Sequence, residues 1–422
     1  MPEPDDAPQP DDAPQPVPLL SPAEGVPPVA VSAAEIASAA DKLASGAGPF
    51  AVDAERASGF RYSNRAYLIQ IRRSGAGTVL IDPVNHGGSP IDTLRPLAEV
   101  LDTDEWILHA ADQDLPCLAE VGLRPPRLYD TELAGRLAGF ERVNLAAMVE
   151  RLLGLGLVKG HGAADWSKRP LPAAWLNYAA LDVEVLLELR SAVASVLHEQ
   201  SKTDWATEEF EHLRCAESTP TRRDRWRRTS GLHKIRNPAG LAAVRELWTV
   251  RDRIARTRDI APGRILPDSA IIAAAVADPK TVEELTALPV FGGPKQRRSA
   301  QIWLDALAAA RSDREPPETS EQLTGPPPPV RWAKRKPEAA ARLEAGRAVL
   351  VELSGQVGVP TENLLSPELM RRLCWEWQDG DAAAGESALD EFLRDGGARD
   401  WQRALVVPLL AGAFTRARQP PG

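Results

Sequence analysis

Short apolar segments follow one another between residues 49 and 111, each bounded by Gly, Pro, Asp or Asn. Segments of this length that are rich in branched and aromatic side chains predict β-strands. The four segments read "PFAVDAE" (49–55), "AYLIQIRR" (66–73), "GTVLIDP" (77–83) and "EWILHAA" (105–111). Segments whose apolar residues have the spacing of a helix lie between and after these strands, as in "PIDTLRPLAEVL" and "ERVNLAAMVERLLGL". Three successive strands followed by alternating helices and strands predict an α/β domain with a mixed sheet that ends near residue 210.

The apolar pattern becomes wholly helical from about residue 237. In "GLAAVRELWTVRDRIARTRD" a stripe of apolar side chains indicates a helix whose Trp248 belongs to the core. The segment "REPPETSEQLTGPPPPV" has the composition of a linker, and a second helical region follows it. The predicted organisation is a disordered acidic, proline-rich tail (1–30), the α/β domain (31–212), a basic linker (213–236), a helical domain (237–314), a proline-rich linker (315–331) and a second helical domain (332–418).

Length and charge narrow the possible functions only slightly. The chain has 422 residues, enough for two to four domains of roughly 100–200 residues each. Its net charge is −9, but residues 1–30 hold six acids and no base, so the rest of the chain is close to balanced. Because local charge distribution matters more than the sum, this acidity does not exclude a nucleic-acid partner. The repeated "PDDAPQ" without large apolar side chains predicts a disordered tail.

The sequence shows no signal for a membrane or for export. It contains no uncharged apolar run of about 18 or more residues. The N-terminus has no basic region followed by an apolar one. Three widely spaced cysteines, Cys117, Cys215 and Cys374, form neither a disulfide framework nor a zinc pattern. We therefore predict a cytoplasmic protein without a membrane partner.

Arginines are concentrated in "RRDRWRRTSGLHKIR" (222–236), which carries about six net positive charges with histidine neutral. One interpretation is a solvated linker, and the other is a segment that contacts nucleic-acid phosphates. "DWSKRP" offers two further cations that are either phosphate contacts or ordinary surface charges. The candidate nucleic-acid-binding residues are Arg222, Arg223, Arg225, Arg227, Arg228, Lys168 and Arg169.

Two acids stand two residues apart on the first predicted strand. Asp53 and Glu55 in "FAVDAERA" point to the same face of the sheet, because side chains alternate along a strand. Like charges at such a position repel each other unless a cation lies between them. The alternative is a strand that runs into an exposed loop, where both acids are solvated.

Two further acids occur in helical contexts. Asp114 in "LHAADQDLPCLAEVG" begins a helix after the fourth strand, and Asp112 competes with it as a helix N-cap. Tyr178 and Asp182 in "WLNYAALDVEVLLEL" are four residues apart and share one helical face.

These residues match the requirements of a hydrolytic metal centre in type and number. Mg²⁺ prefers oxygen ligands, commonly a few carboxylates together with substrate phosphate. Two such ions about 3.5–4 Å apart can stabilise the attacking and leaving oxygens of a phosphoryl displacement. Asp53, Glu55, Asp114 and Asp182 would supply the carboxylates, and Tyr178 would hold the attacking water.

The motifs resemble those of the DEDD exonuclease superfamily, and specifically the ribonuclease D family. Asp53-x-Glu55 resembles the first motif, with "YLIQI" as the strand that follows. "HAADQD" resembles the second motif, whose catalytic acid is its last residue, which favours Asp114 over Asp112. "YAALD" resembles the third motif in its tyrosine form, called DEDDy. Residues 222–311 resemble the basic lead-in and the helicase-and-RNase-D C-terminal (HRDC) domain of the family, and residues 332–418 resemble a second such domain.

This resemblance implies an α/β RNase H-like exonuclease domain followed by two all-α HRDC-type domains. It implies a 3′→5′ exoribonuclease that uses two divalent metal ions, Mg²⁺ or Mn²⁺, and releases nucleoside 5′-monophosphates. The expected catalytic residues are Asp53, Glu55, Asp114, Tyr178 and Asp182, with the four acids as metal ligands. The expected partners are tRNA precursors or other structured RNAs, and we expect a monomer.

Two alternatives to an exoribonuclease stay open. A catalytically silent RNA-binding scaffold would keep the fold, although the presence of all four acids and the tyrosine argues against it. A 3′→5′ DNA exonuclease would keep the chemistry, and recognition of the 2′-hydroxyl leaves no readable motif. One difference from the family lies in "VKGHGAADWS", where small residues and His161 replace the polar residues we expect. We predict His161 to be a loop residue and Trp166 to be a packing residue.

Overall fold

The computed structural model describes residues 15–84, 88–157, 160–216, 224–318, 325–377 and 385–417. Its α/β domain holds a six-stranded sheet in the order β2-β5-β4-β3-β6-β7. The central strand β4 is antiparallel to β3 and β5, and the remaining pairs are parallel, which confirms the predicted mixed sheet. The strands are β1 (Val17–Leu19), β2 (Val29–Ala30), β3 (Ala47–Arg56), β4 (Ala66–Ser74), β5 (Gly77–Ile81), β6 (Glu105–Leu108), β7 (Arg127–Asp130) and β8 (Leu155–Leu157).

Eight helices accompany these strands in the described part of the α/β domain. They are α1 (Ala33–Ala44), α2 (Pro90–Leu101), α3 (Leu115–Glu120), α4 (Thr131–Leu137), α5 (Leu145–Leu153), α6 (Ala173–Glu184), α7 (Leu186–Glu199) and α8 (Thr203–Cys215). Helix α6 packs across β3, β4 and β5. Its small residues Ala179 and Ala180 are fully buried against Leu68 and Leu80 of the sheet, with Trp166 in the same cluster. Small side chains let α6 lie close to the strands, and this brings its polar face over β3.

The first helical domain has a hydrophobic core of its own, which contains Leu247 and Trp303. Its helices are α9 (Pro238–Arg258), α10 (Pro262–Ile265), α11 (Asp268–Ala277), α12 (Val282–Thr286), α13 (Pro294–Arg298) and α14 (Ala300–Arg311). Tyr62 of the α/β domain packs against this core. Polar contacts add to it: Asp259, just after α9, accepts a hydrogen bond from the Ser63 backbone N–H at 2.8 Å. Arg264 donates to the Gly59 carbonyl oxygen at 2.7 Å. This domain therefore holds the loop between β3 and β4.

The second helical domain shares a continuous hydrophobic core with the α/β domain. Its helices are α15 (Trp332–Arg335), α16 (Pro337–Val357), α17 (Thr361–Leu364), α18 (Pro367–Glu376), α19 (Gly385–Asp395) and α20 (Asp400–Ala417). Trp401 stacks on Trp205 of α8 with ring centroids 4.9 Å apart. The buried Glu209 accepts hydrogen bonds from Arg399 at 2.6 Å and from Trp401 Nε1 at 3.0 Å. This domain is built onto the α/β domain.

The structure corrects the predicted boundaries at three places. Residues 15–30 do not form a disordered tail: β1 pairs in parallel with β8, and β2 pairs with β5 at the sheet edge. Trp226, placed in the basic linker by its sequence, is buried in the core of the first helical domain. The linker predicted for 315–331 ends in an ordered turn, where Trp332 Nε1 donates to the Pro327 carbonyl oxygen at 2.6 Å. Contacts distant in sequence order these residues: strand pairing for β1 and β2, the core of the first helical domain for Trp226, and Trp375 for Trp332, with ring centroids 5.1 Å apart. Among the described residues, no helix is long and apolar enough to cross a membrane.

Candidate active site

The first pair of acids lies on β3, which is one of the two middle strands of the sheet. Asp53 and Glu55 face the same side of the sheet, and Glu55 is only 6% exposed. Gln70 lies opposite Asp53 in the β3–β4 register, and its Nε2 donates to Asp53 Oδ2 at 2.5 Å. Gln70 was not predicted from the sequence, although a polar residue in the middle of the apolar run "YLIQI" is the signal that could have found it. It fixes the orientation of the Asp53 carboxylate.

The second acid comes from a sharp turn after β6. Ala110 adopts a left-handed conformation with φ 60°, and a short helical turn then leads to Asp114 at the start of α3. Asp114 is 5% exposed and lines the same cavity as Asp53, whereas Asp112 is exposed. The turn is held by Asp130, which accepts from the backbone N–H groups of Ala110 and Ala111 at 3.1 and 2.8 Å. Asp130 is a support that the sequence analysis missed.

Helix α6 brings the remaining residues over this face. Carboxylate oxygens of Asp53, Glu55 and Asp182 lie within 4.8 Å of one another. The Tyr178 phenol lies beside Asp182, and Asp114 lies beside Asp53. All five residues line one cavity of about 270 Å³. The residues predicted to form a site are therefore brought together.

Burial and mutual repulsion make it costly for these carboxyl groups to be charged together. Burial, with the nearby Asp53, Asp182 and Asp114, raises the pKa of Glu55 to about 10. Burial also raises the pKa of Asp53, Asp114 and Asp182. The Arg56 guanidinium lines the cavity 3.5 Å from Asp114 and offsets one negative charge at most. An all-oxygen donor set with excess negative charge fits hard divalent cations such as Mg²⁺ or Mn²⁺.

Tyr178 is held in place by the loop before α6. Burial, followed by the nearby Asp182 and Glu55 carboxylates, raises the pKa of its phenol, which therefore remains protonated near neutral pH. Gly160 packs directly against the ring, and the imidazole of His161 meets it edge-on with centroids 5.9 Å apart. Trp166 is fully buried, as expected for a packing residue, and its Nε1 donates to the His161 carbonyl oxygen at 3.3 Å.

The predicted phosphate contacts near the third motif have different surroundings. Arg169 donates to Asp82 at 2.6 Å and to the carbonyl oxygens of Tyr67 and Trp166 at 2.7 Å each. Its guanidinium is used inside the protein, so the structure gives Arg169 a packing role instead of the expected phosphate contact. Lys168 is exposed beside it and remains a candidate for binding nucleic acid.

The basic segment is also partly engaged within the protein. Arg225 lies over the ring of Trp248, with its Cζ 5.6 Å from the centroid. Arg227 lies over Trp226 at 4.5 Å and donates to the Glu318 carbonyl oxygen. Arg228 is exposed. The prediction for Arg222 and Arg223 falls outside the described residues.

Three family models match successive parts of the chain. A 3′–5′ exonuclease model covers residues 28–198, and an HRDC model covers residues 240–307. A model described as the 3′ to 5′ exonuclease C-terminal domain covers residues 325–414, the region predicted to be a second HRDC-like domain. The matched order agrees with the fold described above.

Known proteins resemble the chain over most of its length. It is 28% identical to ribonuclease D of Nitrobacter hamburgensis over 334 residues, which cover 78% of this chain and 80% of the relative. It is 31% identical to ribonuclease D of Acidiphilium cryptum over 283 residues, which cover 64% of this chain and 67% of the relative.

Solved structures agree with this similarity. A crystal structure of a protein from Bifidobacterium adolescentis is 34% identical, with a TM-score of 0.83 over 95% of this chain and 100% of that one. Escherichia coli RNase D shares the fold at 22% identity, with a TM-score of 0.66 over 93% of this chain and 99% of that one. Together with the ribonuclease D relatives and the matched exonuclease and HRDC models, these findings show that the chain belongs to the ribonuclease D family.

Proposed function

We propose that this protein is a metal-dependent 3′→5′ exoribonuclease that releases nucleoside 5′-monophosphates from RNA 3′ ends. The observation that carries the proposal is the convergence of Asp53, Glu55 and Asp182 within 4.8 Å, in a cavity shared with Asp114 and Tyr178. Membership of the ribonuclease D family supports the choice of reaction. The neighbour from E. coli is described as an exoribonuclease involved in structured RNA processing.

Asp53, Glu55, Asp114 and Asp182 would hold two divalent ions, with Mg²⁺ and Mn²⁺ both suited to carboxylate ligands. When bound, such ions stabilise charge on the attacking and leaving oxygens and lower the pKa of the attacking water. Gln70 keeps Asp53 in one orientation through the hydrogen bond at 2.5 Å. Arg56 restrains Asp114 from the other side of the cavity.

Tyr178 is the residue proposed to orient the nucleophile. Its hydroxyl lies beside Asp182 and remains protonated near neutral pH, because burial and the nearby carboxylates raise its pKa. A neutral phenol both donates and accepts hydrogen bonds, so it can align a water molecule without removing its proton. Its role is positioning, and proximity of this kind contributes to rate through correct alignment of the reacting atoms.

The substrate and the molecular setting remain predictions. We propose tRNA precursors or other structured RNAs as substrates, a cytoplasmic location and a monomeric protein. A catalytically silent RNA-binding scaffold is disfavoured because all four acids and the tyrosine meet in one cavity. A DNA exonuclease would use the same residues, and the ribonuclease D relatives favour RNA.

The proposal is tested with 5′-end-labelled RNA and single-stranded DNA of the same sequence. Each is incubated with the full chain in Mg²⁺, in Mn²⁺ and in EDTA, and products are identified by mass spectrometry. We expect stepwise shortening of RNA from the 3′ end with release of nucleoside 5′-monophosphates, which stops in EDTA and in the Asp53→Asn variant. Preferential shortening of DNA would establish the alternative substrate, and no shortening of either strand would reject the enzyme.

A further inference from the structure

The N-terminal segment of residues 15–26 is attached to the helix that carries Tyr178 and Asp182. Asn177 Nδ2 donates to the Leu20 carbonyl oxygen at 2.9 Å, immediately before Tyr178. The Ala23 backbone N–H donates to Glu184 Oε1 at 3.3 Å, two residues after Asp182. This segment precedes the region matched by the exonuclease model, which begins at residue 28. The segment therefore lies before the matched region and contacts the helix that carries Tyr178 and Asp182.

A second cavity of about 480 Å³ is lined by both this segment and α6. Leu20, Val26 and Leu157 form apolar parts of its wall, and Asn177 and His161 add polar groups. Tyr178 and Asp182 line both this cavity and the one that holds the four acids, so the two are adjacent. The cavity therefore adjoins the proposed site of hydrolysis, and Tyr178 and Asp182 belong to the walls of both.

The apolar side chains at this cavity are unusually open to water. Leu20 is 66% exposed and Val26 is 40% exposed, although both lie on a segment fixed to the protein by backbone hydrogen bonds. Exposed apolar groups beside a few polar ones at a cleft are typical of a binding site. A nucleobase has two apolar faces and a polar edge, and unpaired bases are bound by stacking together with hydrogen bonds to that edge.

We propose that this cavity binds an unpaired nucleobase from the last two nucleotides of the RNA, with Leu20 and Val26 against its face. Asn177, whose Nδ2 also donates to the Leu20 carbonyl oxygen, and His161 line the same cavity and would face the edge of the base. This inference rests on the proposed exoribonuclease function. It gives the N-terminal segment, which carries none of the exonuclease motifs, a role in binding the substrate.

The test compares RNA binding by paired variants of the full chain, all carrying Asp53→Asn so that no hydrolysis intervenes. The first variant also carries Leu20→Ala and Val26→Ala. Its matched control adds Val17→Ala and Val31→Ala, which remove two aliphatic side chains that are 63% and 43% exposed and do not line the cavity. Anisotropy of a 5′-fluorescein-labelled single-stranded RNA gives Kd, and two further RNAs lack the base at the last or the penultimate position.

We expect Leu20→Ala/Val26→Ala to weaken binding of the intact RNA about fivefold or more, from lost apolar contact, and the control to bind like its parent. On the RNA that lacks the bound base, parent and variant should have equal Kd. An unchanged Kd for intact RNA overturns the proposal, and so does an equal loss on all three RNAs. Because binding is measured without turnover, failure of the hydrolysis assay above does not affect this result.

Discussion

Gly160 packs against Tyr178 so closely that a Cβ at residue 160 would lie 1.7 Å from Tyr178 Cε2 and 2.4 Å from Cζ. A side chain of any size at this position requires the tyrosine ring or the loop to shift. The requirement for glycine here comes from close approach between the loop and the ring. The loop before α6 thereby sets where the Tyr178 hydroxyl lies relative to Asp182.

Gly160→Ala should lower kcat by displacing Tyr178 while leaving the four carboxylates in place. A misplacement of this kind costs roughly 10- to 100-fold in rate. Gly162→Ala is the matched control, because a Cβ there would lie 3.7 Å from the Tyr178 hydroxyl, an ordinary contact distance. Steady-state hydrolysis of a short RNA measures both. Tyr178→Phe should slow the reaction to a similar degree, and a fully active Tyr178→Phe variant would show that the hydroxyl does not orient the nucleophile.

The choice between the two acids of "HAADQD" can be tested directly. Asp114→Asn should reduce kcat by about 1,000-fold or more, as loss of a group that stabilises transition-state charge does. Asp112→Asn should retain nearly full activity, because Asp112 is exposed and Asp114 is buried in the cavity. Both variants should unfold at the wild-type temperature or above it. Inactivity of Asp112→Asn with an active Asp114→Asn would reverse the assignment.

The raised pKa of Glu55 predicts how pH acts on the metal-free protein. Its value of about 10, above the ordinary 4.5, means that the folded chain retains a proton that the unfolded chain has lost between these pH values. This contribution to stability is complete below pH 4.5 and is lost as pH rises towards 10. We therefore expect Tm in EDTA to fall between pH 6 and pH 9.

Glu55→Gln should flatten that decline, since glutamine remains neutral throughout. Mg²⁺ should raise the Tm of the wild type most at the alkaline end, because cation binding requires ionised carboxylates. Glu141→Gln, which removes an exposed carboxylate, is the control and should follow the wild type. Thermal unfolding followed by circular dichroism makes the comparison. A Tm in EDTA that rises with pH would contradict the electrostatics described here.

Substitutions of Arg169 and its neighbour Lys168 should affect different properties, the first the stability of the fold and the second the binding of nucleic acid. Arg169→Ala leaves the buried Asp82 carboxylate without its ion pair and should lower the free energy of unfolding by about 3 kcal/mol. Lys168→Ala should leave stability unchanged and reduce the salt dependence of RNA binding by about one phosphate contact. Urea unfolding and anisotropy titrations at several salt concentrations measure these effects. An Arg169→Ala variant that is as stable as the wild type but binds RNA more weakly would show that Arg169 contacts phosphate.

Side-chain periodicity predicts which residues share a face, and the family resemblance assigns the two pairs and Asp114 to one site. Alternation along a strand places Asp53 and Glu55 on one face, and the four-residue spacing places Tyr178 and Asp182 on one helical face. The distinction between Asp112 and Asp114 required the family resemblance, because both are possible at a helix start. The structure then separates them by burial.

Contacts between distant parts of the chain could not be predicted in this way. Arg169 is as plausible on a surface as in an ion pair, and only the fold brings Asp82 to within 2.6 Å of it. The three residues of β1 carry too little periodicity to indicate a strand, and they are ordered by pairing with β8. The sequence places Trp226 in a charged linker. Its burial could not be predicted there, because it depends on packing against the helices that follow.

The most direct test of the carboxylate centre is anomalous diffraction from crystals of the full chain soaked in Mn²⁺. We predict two manganese peaks about 3.5–4 Å apart, with Asp53, Glu55, Asp114 and Asp182 among their ligands. The same soak of Asp182→Asn crystals should lose or weaken at least one peak. Well-ordered wild-type crystals that bind manganese at none of these four carboxylates would contradict the account.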